Sequence, residues 1–335
     1  MARFKRILSI DGGGIRGIIA GQIIAALERK LQAATDRPGA RLAEFFDLVA
    51  GTSTGGILAC LYLCPRADRP RVPRLSAAEA VALYMEHGAE VFDLSVWRRI
   101  VTAGGLSDET YSADGLEKLL ADTFGDLTLR DLVKPCLIPA YDIERRKAHF
   151  FTAHDARRRR EKDFLVRDAA RASAAAPTFF EPVKVKSLAG TEHALIDGGV
   201  FANNPALCAY AEARCFRGKP TAADMVIFSV GTGAKLRAYP FDQAKDWGKV
   251  GWLGPVLDII MSGVAETVDY ELRKLFEAVR ASKQYVRIDP DLSGASPDLD
   301  DARPENIAAL KAAGDKAAED YAAELERVVE LVTAL

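Results

Sequence analysis

One serine of the sequence stands in a setting that suits a nucleophile. Residues 51–55 read Gly-Thr-Ser-Thr-Gly, a G-x-S-x-G pattern between an apolar strand pattern and an apolar helix pattern. A serine on a tight strand-to-helix turn is presented to substrate, and Gly51 and Gly55 leave room for that turn. The N-terminus of the following helix supplies free N–H groups and a partial positive charge, which stabilise developing negative charge. We therefore predict that Ser53 is the nucleophile of an acyl-transfer reaction.

A glycine-rich segment is the second candidate for chemistry. Residues 11–17 read Asp-Gly-Gly-Gly-Ile-Arg-Gly and also lie between a strand pattern and a helix pattern. Successive glycines allow backbone N–H groups to converge on an anion. If this segment lies beside Ser53, it can form an oxyanion hole together with the residue that follows the serine. The predicted donors are the N–H groups of Gly12, Gly13, Gly14 and Thr54.

The same glycines also permit a nucleotide-binding interpretation. Gly12, Gly14 and Gly17 satisfy G-x-G-x-x-G, the dinucleotide fingerprint. That fingerprint requires an acidic residue at the end of the next strand, about 20 residues further on. Asp36 has this spacing but lies in a turn sequence, Thr-Asp-Arg-Pro-Gly. A dinucleotide-binding oxidoreductase is therefore the less favoured alternative.

A serine nucleophile needs a group that accepts its proton, and the histidines fit this role poorly. The last of the four, His193, lies far from the C-terminus, whereas an α/β-hydrolase carries its catalytic histidine late in the chain. Asp197 fits better, because it ends an apolar strand pattern, which would place its carboxylate at the carboxyl end of a parallel strand. Gly198 and Gly199 follow it and permit a close approach. Partial burial would raise its pKa and make it a stronger base. Taken alone, Asp-Gly is more typical of an ordinary turn, and only its combination with the other two motifs favours the catalytic role.

Taken together, these motifs resemble the signatures of the bacterial patatin-like phospholipases. The matching segments are residues 11–17, 51–56 and 197–199, with connecting segments at 171–180 and 201–205. The resemblance covers about residues 5–235 in order and spacing. It implies a dyad of Ser53 and Asp197 without histidine, oxyanion donors in the glycine loop, and Arg16 as the residue that orders this loop.

The resemblance also implies a function. The expected enzyme is a lipid acyl hydrolase that cleaves fatty-acyl esters of phospholipids or lysophospholipids through an acyl-enzyme, with no metal and no cofactor. Some bacterial relatives are defence effectors that a cyclic nucleotide switches on, so a small-molecule activator is among the expected partners. An esterase acting on non-lipid carboxylic esters is the alternative.

These residues must be positioned by an α/β fold, because short β-rich runs alternate with helical patterns. We predict strands at 7–10, 45–50, 136–141, 194–196, 225–230 and 285–288, and helices at 18–31, 54–63 and 307–332, the last broken near Gly314. The expected architecture is a three-layer α/β/α arrangement with a largely parallel central sheet. No segment reads as a linker, so we predict one domain over residues 1–335.

The composition narrows the possible partners and the compartment. Apolar residues make up 49% and charged residues 27% of the chain, which is ordinary for a globular protein. The net charge of −2 gives no basic excess for a nucleic-acid partner. Five scattered cysteines without a C-x-x-C pair predict a reducing compartment. With no signal sequence and no spanning segment, we expect a cytoplasmic protein with transient peripheral contact at the inner membrane surface.

Two apolar segments allow two uses. Residues 247–264 combine tryptophans, leucines, isoleucines and a methionine with few charges, and residues 91–101 are similar. Such a segment is either a buried core helix or a cover that faces a lipid bilayer, where aromatic side chains favour the lipid–water boundary. We favour the buried core helix.

Overall fold

The computed structural model describes residues 4–91, 114–233 and 238–334, and eight strands within these ranges form one sheet. The strands are β1 (Lys5–Ile10), β2 (Leu48–Gly51), β3 (Cys136–Asp142), β4 (Lys147–Phe151), β5 (Val183–Lys186), β6 (Glu192–Asp197), β7 (Met225–Val230) and β8 (Tyr285–Ile288).

The described helices connect and cover these strands. They are α1 (Gly17–Thr35), α2 (Thr54–Leu63), α3 (Ala77–Val91), α4 (Asp114–Phe124), α5 (Ala153–Ala156), α6 (Val166–Ser173), α7 (Gly199–Ala202), α8 (Ala206–Arg214), α9 (Phe241–Ala244), α10 (Lys249–Ala278), α11 (Pro304–Asp320) and α12 (Ala322–Thr333). Short 3-10 turns lie at Gly14–Arg16, Leu42–Glu44, Leu129–Asp131, Arg160–Lys162, Ala222–Asp224 and Ser282–Gln284.

The sheet is mixed, and most of its strands are parallel. Its order is β5-β6-β3-β2-β1-β7-β8, and β4 also pairs with β3. The five strands from β3 to β8 in this order run parallel to one another. The pairs β3–β4, β3–β6 and β5–β6 are antiparallel. The predicted α/β fold with a largely parallel sheet is therefore confirmed.

Helices cover both faces of the sheet. Successive residues of a strand point to opposite faces. Leu8 belongs to a core that includes residues of α1 and α2, whereas its neighbour Ile7 belongs to a second core with residues of α8 and α10. All ten residues of α2 are buried, as expected of a helix that is apolar on every side. This arrangement is the predicted three-layer architecture.

Two predicted boundaries are wrong. Strand β2 begins at Leu48 rather than at residue 45, because the chain forms a 3-10 turn just before it. The C-terminal helix does not break at Gly314 but at Tyr321, where α11 ends and α12 begins. Gly314 instead allows α11 to approach α1, since a Cβ there would lie 2.7 Å from the Cβ of Gln22.

The two apolar segments have different outcomes. Residues 92–101 of the second segment lie outside the described residues. Most of the first segment lies in α10, where Trp252, Val256, Ile259 and Ile260 are exposed, so our interpretation of 247–264 as a buried core helix is wrong for this face. Within the described ranges, no helix combines the length and hydropathy needed to cross a bilayer.

Candidate active site

Ser53 lies on a sharp turn between β2 and α2. Its backbone has φ 54° and ψ −121°, a region that residues other than glycine rarely adopt. The turn packs directly on β1, because a Cβ at Gly55 would lie 2.2 Å from the carbonyl oxygen of Ile10. A Cβ at Gly51 would lie 2.0 Å from the carbonyl oxygen of Gly55. Both glycines therefore have the steric role that the sequence predicts for them.

Hydrogen bonds from distant elements support this turn. The N–H of Ser53 donates to Oγ of Ser173 at 3.0 Å, and the Ser173 hydroxyl donates to the carbonyl of Pro139 at 2.6 Å. The hydroxyl of Thr52 donates to the carbonyl of Ala202 at 2.6 Å. Since all three bonds are buried, they hold the strained backbone of Ser53 in one conformation. Ser173 belongs to the segment 171–180, but its residue type gave no signal for this contact.

Asp197 also lies beside Ser53, but the strand that carries it, β6, runs in the direction opposite to the one we expected. We expected it at the carboxyl end of a parallel strand, but β6 runs antiparallel to β3, with Asp197 opposite Ala140. This expectation was wrong. Strand β3 pairs with β2 through Cys136 and Leu137 and then continues beyond the end of β2. Strand β6 returns along this extension, so its last residue arrives beside the Ser53 turn.

The carboxyl group of Asp197 is buried, and its protonation is shifted accordingly. Burial raises its pKa from 3.8 to about 7. Two neighbours oppose this effect and lower the pKa: the N–H of Gly199, which donates to Oδ1 at 2.6 Å, and the side chain of Ser53. Gly198 allows close packing, since a Cβ there would lie 2.4 Å from the carbonyl oxygen of Pro139. The site thus places a serine and a buried carboxyl group with a raised pKa in the lining of one pocket.

The glycine loop lies beside Ser53, but not all of its N–H groups are available. The N–H of Gly12 donates to the carbonyl of Asn203 at 3.0 Å, so our assignment of Gly12 as an oxyanion donor is wrong. Gly13, Gly14 and Thr54 line the pocket at Ser53. Their N–H groups have no hydrogen-bond partner among the residues that the structure describes.

The carbonyl groups of the loop determine where the free N–H groups point. The carbonyl of Gly12 accepts a hydrogen bond from the Thr232 hydroxyl at 2.9 Å. The carbonyl of Gly13 accepts from the N–H of Arg16 at 3.1 Å and from its Nε at 3.5 Å. In a trans peptide the N–H points away from the carbonyl, so the N–H groups of Gly13 and Gly14 face away from Thr232 and Arg16. These contacts fit the loop-ordering role that the resemblance implies for Arg16.

A buried ion pair anchors the start of this loop. Both carboxylate oxygens of Asp11 accept from the guanidinium of Arg287, at 2.7 and 3.2 Å. Arg287 also donates to Asp289 at 2.9 Å and to the Ser229 hydroxyl at 2.8 Å. Burial opposes the charge of Arg287, but the carboxylates of Asp11 and Asp289 outweigh it and raise the pKa of the guanidinium. No motif in the sequence pointed to Arg287, which lies on β8, far along the chain from Asp11.

An apolar pocket extends from Ser53. About 890 Å³ of space in and in front of this pocket, open solvent included, is free of protein atoms. Beyond Ser53, Asp197 and the glycine loop, its walls are mainly aliphatic and aromatic side chains. They include Ile57, Leu61, Leu83, Tyr84, Leu116, Leu119, Leu120, Phe124, Phe179, Phe180, Met261 and Leu299. A pocket with apolar walls and a few polar groups at one end suits a ligand with a long apolar part and a reactive polar end.

Other candidate groups lie outside this arrangement. No histidine lines the pocket within the described part of the chain. His193 is hydrogen-bonded to Asp142 at 2.9 Å, and burial lowers the pKa of His149 to about 3. The acid of the dinucleotide fingerprint is not where that motif needs it, because Asp36 lies at the C-terminal end of α1 and β2 ends at Gly51.

Comparisons with known proteins agree with this geometry. A sequence profile described as patatin-like phospholipase matches residues 8–210. The chain is 35% identical to patatin-like protein 2 of Oryza sativa subsp. indica and 34% identical to patatin-like protein 1 of Arabidopsis thaliana. These matches cover 92% of this chain and 82% and 80% of the two plant proteins. The predicted bacterial subgroup gains no support from these plant relatives.

Solved structures give a weaker similarity. The chain is similar to VipD from Legionella pneumophila, with a TM-score of 0.41 and 14% sequence identity, over 97% of this chain and 67% of VipD. The comparison with the type III effector protein ExoU gives a TM-score of 0.38 and 14% sequence identity, over 97% of this chain and 53% of ExoU.

Proposed function

Because this chain belongs to the patatin-like phospholipase family, we propose that it hydrolyses fatty-acyl esters of phospholipids or lysophospholipids. One observation carries the proposal: Ser53, on its strained turn, and the buried carboxyl group of Asp197 line the same end of an apolar pocket. The reactive groups and the apolar walls correspond to the two ends of a fatty-acyl ester.

In the acylation step, the ionised carboxylate of Asp197 accepts the proton of the Ser53 hydroxyl. Oγ of Ser53 forms a bond to the ester carbonyl carbon, and the carbonyl electrons move onto oxygen. The N–H groups of Gly13, Gly14 and Thr54 stabilise this oxyanion. The tetrahedral intermediate then expels the alcohol, which takes the proton back from Asp197, and the acyl group stays on Ser53.

In the deacylation step, the same carboxylate removes a proton from water. The hydroxide attacks the acyl carbonyl, and Ser53 leaves with the proton that Asp197 returns. A carboxyl group whose pKa is near 7 suits both directions of proton transfer at neutral pH, since it is a stronger base than an exposed aspartate. No step requires a metal or an imidazole.

The substrate proposal follows from the pocket walls. The fatty-acyl chain would lie among α2, α4 and the segment 174–180, whose apolar side chains exclude water. A lipid substrate places the protein at a lipid–water boundary, so we also propose transient peripheral contact with the membrane. All five cysteines are free thiols, which supports a reducing compartment such as the cytoplasm.

The test compares variants on two substrates, a monomeric p-nitrophenyl ester and phosphatidylcholine vesicles, with mass spectrometry of the products. We expect Ser53→Ala and Asp197→Asn each to abolish hydrolysis of both substrates. His193→Asn is the control and should retain activity, because its ring binds Asp142 rather than the nucleophile. An inactive His193→Asn protein that is folded would contradict the dyad. Hydrolysis of the p-nitrophenyl ester without hydrolysis of phosphatidylcholine would favour the alternative function, an esterase acting on non-lipid esters.

A further inference from the structure

The helix α10 carries an apolar stripe on its outer face. Trp252, Val256, Ile259 and Ile260 are each 41–42% exposed. Their spacing of four, three and one residues places them on one side of a helix with 3.6 residues per turn. Phe241, in the short helix α9 just before it, is 78% exposed. A group of large apolar side chains this exposed marks a surface that binds something.

The stripe ends partway along the helix. On the C-terminal half of α10 the outer face is charged, with Glu266, Glu271, Arg273 and Lys274 exposed to solvent. The inner face of that half packs into the core through four apolar residues, Ala265, Val268, Leu272 and Phe276. In that half the exposed apolar side chains, Tyr270 and Leu275, stand among these charged residues and form no stripe. The continuous stripe therefore belongs to the N-terminal half, and the folding of the helix against the sheet does not require it.

This half of α10 adjoins the pocket. Met261 follows the stripe directly but points to the other side of the helix, and it lines the pocket together with Ser53 and Asp197. It also reaches α7, since a Cβ at Gly199 would lie 3.3 Å from its Cε. One side of this half of α10 thus forms part of the pocket wall through Met261, and the opposite side carries the stripe.

Aromatic rings and charges near the stripe indicate its chemistry. Trp247 packs edge-on against Trp252 with ring centroids 5.1 Å apart, and Tyr239 packs against Trp247 at 5.4 Å. Residues 239–263 contain two lysines and three aspartates, so the region has no basic excess. Asp242 is paired with Lys245 at 2.8 Å, and Asp258 accepts from Tyr239 at 2.9 Å. Such a surface suits apolar insertion with aromatic anchoring and not attraction to anionic headgroups.

From this arrangement we infer that the face formed by Phe241, Trp252, Val256, Ile259 and Ile260 docks onto the surface of a neutral or zwitterionic lipid aggregate and holds at that surface the helix whose other side lines the pocket. The inference rests on the proposed lipid hydrolase function, because a lipid aggregate is the occupant that also supplies substrate to the pocket beside Met261. Trp252 enters the boundary region of the lipid, and the charged half of α10 stays in water.

The experiment measures vesicle binding separately from catalysis. The Ser53→Ala protein is the parent, so that vesicles are not consumed. Its partition onto phosphatidylcholine vesicles is measured by sedimentation, and tryptophan emission is recorded with and without bromine-labelled phosphatidylcholine. We expect partition with quenched emission, and a similar partition when 30% phosphatidylglycerol is included or when the salt concentration is raised.

Matched variants on one helix locate the surface. Ile259→Ser with Ile260→Ser should lower the partition coefficient about tenfold or more. The double variant loses the favourable free energy of moving two large apolar side chains from water into the lipid. Tyr270→Ser with Leu275→Ser, on the charged half of α10, removes side chains that are also exposed and should change it less than about twofold. With Ser53 restored, both double variants should hydrolyse a monomeric ester like the wild type, which shows that they are folded.

The outcomes distinguish this inference from the proposed function. Equal partition of the parent and Ile259→Ser/Ile260→Ser, or binding that requires anionic lipid at low salt, overturns the docking surface. A dimer in light scattering that these serines dissociate would show a second copy of the chain as the occupant and would also overturn it. Absence of monomeric ester hydrolysis by the wild type, with stripe-dependent vesicle binding intact, refutes the catalytic proposal alone.

Discussion

Replacing Asp197 by asparagine should make the protein more stable at high pH while removing its activity. In the folded protein burial raises the pKa of this carboxyl from 3.8 to about 7. At pH values between these two pKa values, the Asp197 carboxyl group is ionised in the unfolded chain but protonated in the folded protein. Because the folded state binds more protons there, its stability falls as the pH rises from about 4 to about 7, and the loss is then constant.

The magnitude follows from the shift. About three pKa units at 1.36 kcal/mol each correspond to a cost of about 4 kcal/mol above pH 7. About 2.5 kcal/mol of this cost develops between pH 5 and pH 8. An asparagine at position 197 does not ionise, and its side-chain oxygen can still accept the N–H of Gly199. Any packing difference between the two side chains does not depend on pH and cancels when the two pH values are compared.

Urea unfolding followed by circular dichroism, at pH 5 and pH 8, measures this effect. The stability of Asp197→Asn relative to the wild type should increase by about 2.5 kcal/mol between the two pH values. Asp224→Asn is the control: hydrogen bonds from Thr221 lower the pKa of that exposed carboxyl, so its relative stability should not change in this range. If the relative stability of Asp197→Asn is the same at both pH values, the carboxyl is not the raised-pKa base that the mechanism requires.

Three further changes test the parts of the site. Ser173→Ala leaves the buried N–H of Ser53 without its acceptor, so the conformation that presents the nucleophile becomes about 1–3 kcal/mol less favourable. We therefore expect kcat for a monomeric ester to fall about tenfold or more, with little change in KM. Thr232→Val removes the hydroxyl that holds the carbonyl of Gly12 and should also lower kcat, whereas Thr232→Ser should retain it. Leu120→Trp narrows the pocket, so esters of long-chain acids should lose at least about tenfold in kcat/KM while an acetate ester is hardly affected. Equal losses for long and short acids would show that the acyl chain lies elsewhere.

The local parts of the site could be predicted from the sequence because their causes are local. The Ser53 turn needs small residues within two positions on either side, and Gly51 and Gly55 provide them. The alternation of apolar strands and helices predicted the three layers, since each element must bury an apolar face. The ends of elements did not follow from the pattern, because the apolar face of the C-terminal segment continues through Tyr321, where α11 ends and α12 begins.

The tertiary structure decided which groups meet. Asp197 reaches Ser53 because β6 runs antiparallel along the extension of β3, and neither the direction nor the register of that strand is encoded in the residues near it. The N–H of Gly12 cannot bind an oxyanion because it donates to the carbonyl of Asn203, which is distant in the sequence. Ser173, at the end of α6, accepts the N–H of Ser53, a contact between residues that are also far apart in the sequence. An apolar pattern shows that a helix has an apolar face. Whether that face meets the core, as at α2, or solvent, as on the N-terminal half of α10, depends on which other elements the fold brings against it.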